Sequence, residues 1–133
     1  MKKTSMILCG MMLLASSAMA QVKVIAHRGH WNSQGAAQNS IAAMQNAKKA
    51  DVWGSEFDVH ITTDGTVVVN HDDDIHGIII ENAKYADIKN LKLANGEPIA
   101  TLKSYLEAGK KLAPMQLILE IKAHQTPERE DLP

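Results

Sequence analysis

The sequence predicts an α/β protein organised around a parallel sheet. Three observations carry this. β-branched apolar runs alternate with two capped amphipathic stretches, four predicted strands carry ionisable side chains at or near their ends, and the 133 residues are 45% apolar without an internal repeat. Residues 22–26 form a first, buried strand that stops at His27-Arg28-Gly29. After a polar loop, Asn39 or Ser40 caps a helix from Ile41 to about Ala50, with Ile41, Met44 and Ala47 on one face. Residues 54–59 read as a second strand and 66–70 as a third, which ends at His71-Asp72. Residues 73–95 hold the apolar run Ile78-Ile79-Ile80 and a short polar helix near 85–91. Thr101 caps a helix through Leu102, Tyr105 and Leu106, with Gly109 as its stop residue. Pro114 precedes the strongest strand signal, residues 115–121.

The second and third strands are about six residues apart, whereas a parallel crossover takes about a dozen or more. Asp64-Gly65 is a tight-turn dipeptide. The expectation is therefore a hairpin-like return in place of a helix. Residues 60–63 run back down, the chain turns at Asp64-Gly65, and all four strands still point the same way.

Residues 1–20 read as a secretory signal peptide. Lys2 and Lys3 give a basic start, Met6 to Leu14 a short apolar core, and Ala18-Met19-Ala20 a small-x-small cleavage pattern. That core is shorter than the roughly 20 residues a membrane span needs, and Leu8 is bulky for lipid attachment at Cys9. The expectation is an exported chain, periplasmic or secreted, with no stable membrane anchor and a mature domain over residues 21–133. Cleavage removes Cys9, the one cysteine, and with it disulfide and thiol chemistry. The net charge of −1 gives no support to a nucleic-acid partner. Nothing in the pattern sets an oligomeric state.

Reactive side chains gather near the strand ends: His27 and Arg28, Glu56 and Asp58, His71, then Glu120 and Lys122. Sites in α/β sheets form at the carboxyl ends of parallel strands. Glu56 and Asp58 are two residues apart, so both face one side of their strand, while Phe57 faces a packing layer. Two carboxylates on one buried face repel each other, and a divalent cation removes that cost. Glu120 and Lys122 repeat the spacing and add a third acid. Three carboxylates without a cysteine suit a hard ion, Ca²⁺ or Mg²⁺. The competing account is a set of structural ion pairs, Glu56 with Arg28 and Asp58 with Lys122. His27 and His71 can trade protons near neutral pH, and Arg28 and Lys122 suit a phosphate. Together these residues describe phosphoryl chemistry without a protein nucleophile.

His27-Arg28-Gly29, Gln38-Asn39-Ser40, Gly54-Ser55-Glu56-Phe57-Asp58-Val59, Thr63-Asp64-Gly65, His71-Asp72, Pro98-Ile99-Ala100-Thr101-Leu102 and Glu120-Ile121-Lys122 occur in that order. In this the chain closely resembles the glycerophosphodiester phosphodiesterase family, from about residue 22 to 122. The resemblance implies a TIM-type (β/α) barrel that hydrolyses glycerophosphodiesters to glycerol 3-phosphate and an alcohol. It implies Glu56, Asp58 and Glu120 as metal ligands, His27 and His71 as general acid and base, and Arg28 and Lys122 as phosphate contacts. Two departures stand out. Gln38 occupies a position where the family usually has Glu. A barrel of this type takes about 250 residues, so the chain is expected to be an amino-terminal part holding about four parallel strands. Two other readings stay open: a phospholipase-type barrel acting on intact lipids, and a non-catalytic glycerophosphodiester-binding fragment.

The remaining polar and aromatic residues read mainly as structural. His30, His60, His76 and His124 are expected to lie outside catalysis, and Asp72 to orient His71. Asp72-Asp73-Asp74 reads as a solvated loop, and Trp31, Trp53, Met44 and Leu106 as packing residues.

Overall fold

The computed structural model describes residues 21–129. The signal-peptide expectation falls on residues 1–20, outside the described residues. Among the described residues, no helix is long and apolar enough to cross a membrane.

The element order is β1 (Ile25–Ala26), α1 (Ile41–Lys49), β2 (Gly54–Ile61), β3 (Val67–Val69), β4 (Asp74–Ile75), β5 (Ile78–Ile79), a 3₁₀ turn at Ile80–Asn82, α2 (Tyr85–Ile88), α3 (Leu102–Lys110), β6 (Gln116–Ile121) and a 3₁₀ turn at Pro127–Arg129. β2 is the axis of the sheet. β1 and β6 lie parallel to it on opposite edges, with Ile25 opposite Gly54 and a six-residue register from Gly54–Gln116 to Val59–Ile121. β1, β2 and β6 thus form a parallel sheet, as the sequence predicts.

The direction of β3 corrects the expectation of four parallel strands. β2 does not stop at Val59 but continues through His60 and Ile61. The turn closes with Thr62 and Thr66 bonded to each other and Gly65 N–H donating to the Thr62 carbonyl. β3 then returns antiparallel, Val59 opposite Val69 and Ile61 opposite Val67. A hairpin does replace the helix, but with a single reversal. Asp64 fixes its tip, because its carboxylate accepts the Thr62 hydroxyl and the N–H of Tyr85 at the start of α2. These bonds hold the Asp64 carboxyl below its usual range. Of the apolar run 78–80, Ile78-Ile79 forms a strand in a small hairpin with β4, and Ile80 begins the 3₁₀ turn.

Helix starts follow the sequence. Ser40 caps α1 by accepting from Ala43 N–H, and Thr101 caps α3 by accepting from Ser104 N–H. A distant residue completes the first cap: the Glu97 carboxylate accepts from the N–H groups of Ile41 and Ala42, an anion at a helix N-terminus. Gly109 is not the stop residue expected of it. α3 runs through it to Lys110, and a Cβ there would lie 2.4 Å from Leu117 Cδ1, so the glycine lets α3 press onto β6.

Met44, Ala47, Phe57, Val59, Val69, Tyr105 and Met115 form the main core between helices and sheet. Phe57 points there as its alternation predicts, its ring 4.7 Å from that of Tyr105. Burying a side chain of this size contributes roughly 1.5–3 kcal/mol. Leu106, expected in this core, is exposed instead. The buried face of α3 is phased on Tyr105 and Gly109.

Gly29 ties the first loop to this frame. Its φ is +75°, and an added Cβ would meet Ala43 Cβ at 2.7 Å and Ala43 backbone carbon at 2.8 Å. Gly29→Ala is therefore expected to destabilise the fold by about 2–4 kcal/mol, from left-handed strain plus overpacking. Urea unfolding measures it, and a loss under 1 kcal/mol would contradict the close approach.

Candidate active site

The seven residues singled out in the sequence converge on one end of the β1–β2–β6 sheet. Glu56 and Asp58 lie on one face of β2, and both are buried. Parallel pairing sets Glu120 directly opposite Asp58. One carboxylate oxygen from each of the three acids lies within 4.8 Å of the others. Glu120 is the most open member, its side chain 51% exposed.

Each acid has a polar clamp. Arg28, at φ +57°, turns its own backbone N–H onto Glu56 Oε2 at 2.7 Å. Asn39, at φ +61°, grips Asp58 twice: its Nδ2 donates to Oδ2 at 2.9 Å and its Oδ1 accepts the Asp58 N–H at 3.1 Å. Lys122 Nζ sits 2.8 Å from Glu120 Oε1 and 3.4 Å from Asp58 Oδ1. The hydrogen bond to Glu120, more than the charge of Asp58, raises the Lys122 ammonium above its ordinary range. Of the two ion pairs in the competing structural account, Asp58 with Lys122 is present, whereas the Arg28 guanidinium lies 4.0 Å from Asp58 Oδ2 and meets Glu56 only through its backbone N–H; the acids still cluster.

Two buried acceptors are under-satisfied. Glu56 Oε1 accepts no hydrogen bond from the described residues, and Asp58 Oδ1 has only the Lys122 ammonium at 3.4 Å. Burial, opposed by the Arg28 N–H and reinforced by Asp58, raises the Glu56 carboxyl above its usual range. Paired buried oxygens of like charge with spare lone pairs, in a set of three carboxylates, fit a hard divalent cation.

The two histidines differ in setting. His27 has a side chain 66% exposed, with Nε2 3.9 Å from Glu56 Oε2. His71 is reached through the hairpin: β3 brings Asn70 N–H onto the Asp58 carbonyl, and His71 follows. Its Nε2 lies 2.7 Å from Arg28 Nη2 and its Nδ1 2.8 Å from Asp72 Oδ1. A guanidinium only donates, so Nε2 is the acceptor and the ring proton sits on Nδ1, facing Asp72. Arg28 also donates from Nη1 to Gln38 Oε1 at 2.7 Å. Gln38, where an acid was expected, thus serves as a neutral acceptor.

Sequence reasoning missed Asn39 as a site residue. A left-handed Asn between a Gln and a helix cap was a usable signal, since Asn tolerates that conformation better than most residues. β2 continues through His60, which therefore shares the face of Glu56 and Asp58. It is buried under the site, its Nε2 3.2 Å from the His71 carbonyl. Trp31, read as packing, is 39% exposed and borders a cavity of about 620 Å³ beside Gln38, Asn70 and His71. Trp53, also read as packing, is 40% exposed and stacks under the Lys23 ammonium at 4.4 Å.

Residues 27–132 match the glycerophosphoryl diester phosphodiesterase family. The chain belongs to that family. Among relatives of this phosphodiesterase family, one from Caldanaerobacter subterraneus is 44% identical over 52 residues, covering 39% of this chain and 21% of that protein. Glycerophosphodiester phosphodiesterase 1 of Rattus norvegicus is 40% identical over 55 residues, covering 41% and 16%. A solved glycerophosphodiester phosphodiesterase from Parabacteroides distasonis is 51% identical with a TM-score of 0.78, covering 80% of this chain and 45% of that one. An Oleispira antarctica phosphodiesterase, solved with its product sn-glycerol-3-phosphate, is 30% identical with a TM-score of 0.68, covering 82% and 48%. The chain spans under half the length of these solved family members and about a fifth or less of the two sequence relatives.

Proposed function

We propose that this chain carries the catalytic face of a metal-dependent phosphodiesterase that hydrolyses glycerophosphodiesters to glycerol 3-phosphate and an alcohol. The observation that carries the reading is the convergence of Glu56, Asp58 and Glu120, with buried Glu56 Oε1 accepting no hydrogen bond among the described residues. The three acids would hold one divalent cation, Ca²⁺ or Mg²⁺, which when bound polarises a phosphoryl oxygen. Asn39 and the Arg28 N–H orient Asp58 and Glu56 for that task. Arg28 and Lys122 bind the phosphate, and one ester group occupies the cavity beside Trp31.

Proton roles follow from the hydrogen bonds. His71 Nε2 carries the lone pair, so His71 takes a proton from the attacking hydroxyl, the substrate's own glycerol hydroxyl, giving a cyclic phosphate that water then opens, and Asp72 steadies the ring. His27, on the other side of the acids, gives a proton to the departing alcohol oxygen. A phosphate that draws Arg28 toward itself also releases Nε2 for this work. The family membership and the product seen in the Oleispira antarctica relative support the substrate class.

The test is hydrolysis of glycerophosphocholine and glycerophosphoethanolamine by the full-length protein that carries this chain, with the glycerol 3-phosphate assayed; residues 21–133 alone are expected to show little turnover. Turnover by the full-length protein is expected, abolished by chelator and restored by Ca²⁺ or Mg²⁺. Metal and substrate binding without turnover would favour the binding-protein reading, and cleavage of intact phospholipid alone the lipase reading. We further propose export with removal of residues 1–20, on the basic, apolar and small-residue pattern of that segment. Recovered protein beginning at Gln21 is the expected sign.

A further inference from the structure

Glu81 belongs to none of the motifs above, yet it is a buried acid, 4% exposed, in the 3₁₀ turn after β5. Burying a carboxylate is costly unless its oxygens are paired. Both are paired here, and both with one loop. Oε2 accepts from the Gln125 N–H at 2.9 Å and Oε1 from the Thr126 hydroxyl at 2.9 Å. A third bond runs alongside, from Gln125 Nε2 to Asp73 Oδ2 at 2.8 Å.

That loop continues directly from β6. Lys122 N–H donates to the Val59 carbonyl at 3.1 Å, the last rung toward β2. Only Ala123 and His124 separate Lys122 from Gln125. Glu120 and Lys122 therefore lie on a strand end held on one side by the β2 ladder and on the other by Glu81. Apolar burial adds little at this strand end, where Leu119 is 41% and Ile121 77% exposed.

We propose that Glu81 is a positioning residue: through Gln125 and Thr126 it holds the end of β6 so that Glu120 and Lys122 meet Asp58. The inference rests on the metal reading of the three acids. Carboxylate ligands must be held to a few tenths of an ångström, and groups that orient ligands typically change metal affinity 10–100-fold.

The experiment measures Ca²⁺ affinity by titration calorimetry for the full chain, Thr126→Val, Glu81→Gln and the double variant, with unfolding midpoints recorded in chelator. Thr126→Val is expected to weaken Ca²⁺ binding by about tenfold without moving the metal-free midpoint. Glu81→Gln should weaken it further, with the double variant no weaker than Glu81→Gln, because both remove one interaction. If Glu81→Gln does not fold, Thr126→Val decides alone. Unchanged affinity in a folded Thr126→Val variant overturns the positioning role and leaves the metal site standing. A fall in affinity that only tracks lost fold also overturns it. No Ca²⁺ binding by the unaltered chain sinks both.

Discussion

Glu56→Gln is expected to lower kcat for glycerophosphocholine hydrolysis by about a thousandfold while making the metal-free protein more stable at neutral pH. The first effect is the loss of several kcal/mol of transition-state charge stabilisation when a ligand to the cation is neutralised. The second follows from burial. The Glu56 carboxyl titrates above its unfolded value in the fold, so between those two values the native state binds more protons than the unfolded state. Its destabilising effect is absent at low pH, grows as pH rises from the unfolded to the folded value, and is constant above it. Gln keeps an oxygen to accept the Arg28 N–H and removes the charge facing Asp58. Chelated wild type should therefore lose stability as pH rises from the unfolded to the raised folded value of Glu56, chelated Glu56→Gln should lose less, and added Ca²⁺ should rescue only the wild type. Equal pH dependence of the two chelated proteins would show that Glu56 is not the strained acid.

His71→Asn is expected to lower kcat/KM by about 10²–10⁴, the range for a positioned general base. The pH profile separates this from simple disruption. Wild type should give a bell, its acid limb reporting protonation of His71. With Asn at 71 that limb should vanish and the alkaline limb of His27 remain. Loss of the alkaline limb instead would reverse the two roles. The variant should fold, because His71 is partly exposed and its neighbours Asp72 and Asn70 keep their own contacts.

Much of the site was legible because its acids obey a local rule. Glu56, Phe57 and Asp58 alternate on a strand, so two acids share a face and the ring goes to the core, and Glu120 with Lys122 repeats the pattern. Which strand they meet on was not local, yet parallel pairing of β2 with β6 is what strand–helix alternation favours. The direction of β3 was misread because extended residues look alike whichever way they run, and only the register of Val59 with Val69 distinguishes a return from a climb. Asn39 was taken for a cap because the amide that caps a helix is the same group that clamps a carboxylate. Leu106 was placed in the core beside Tyr105 because adjacent residues on a short helix differ by only 100° in phase. Glu81 left no trace at all: its partners lie 44 and 45 residues away, a distance no periodicity spans.

The antiparallel return of β3 makes the β2–β3 hairpin a ruler for chemistry. The level at which the imidazole of residue 71 reaches Arg28 is counted out by the residues between Ile61 and Val67. Adding one residue there would send every later side chain of the arm to the opposite face. Adding two would keep the face but slide it by about 7 Å. Loop length, commonly the most permissive trait of a surface turn, here sets where the imidazole of residue 71 stands.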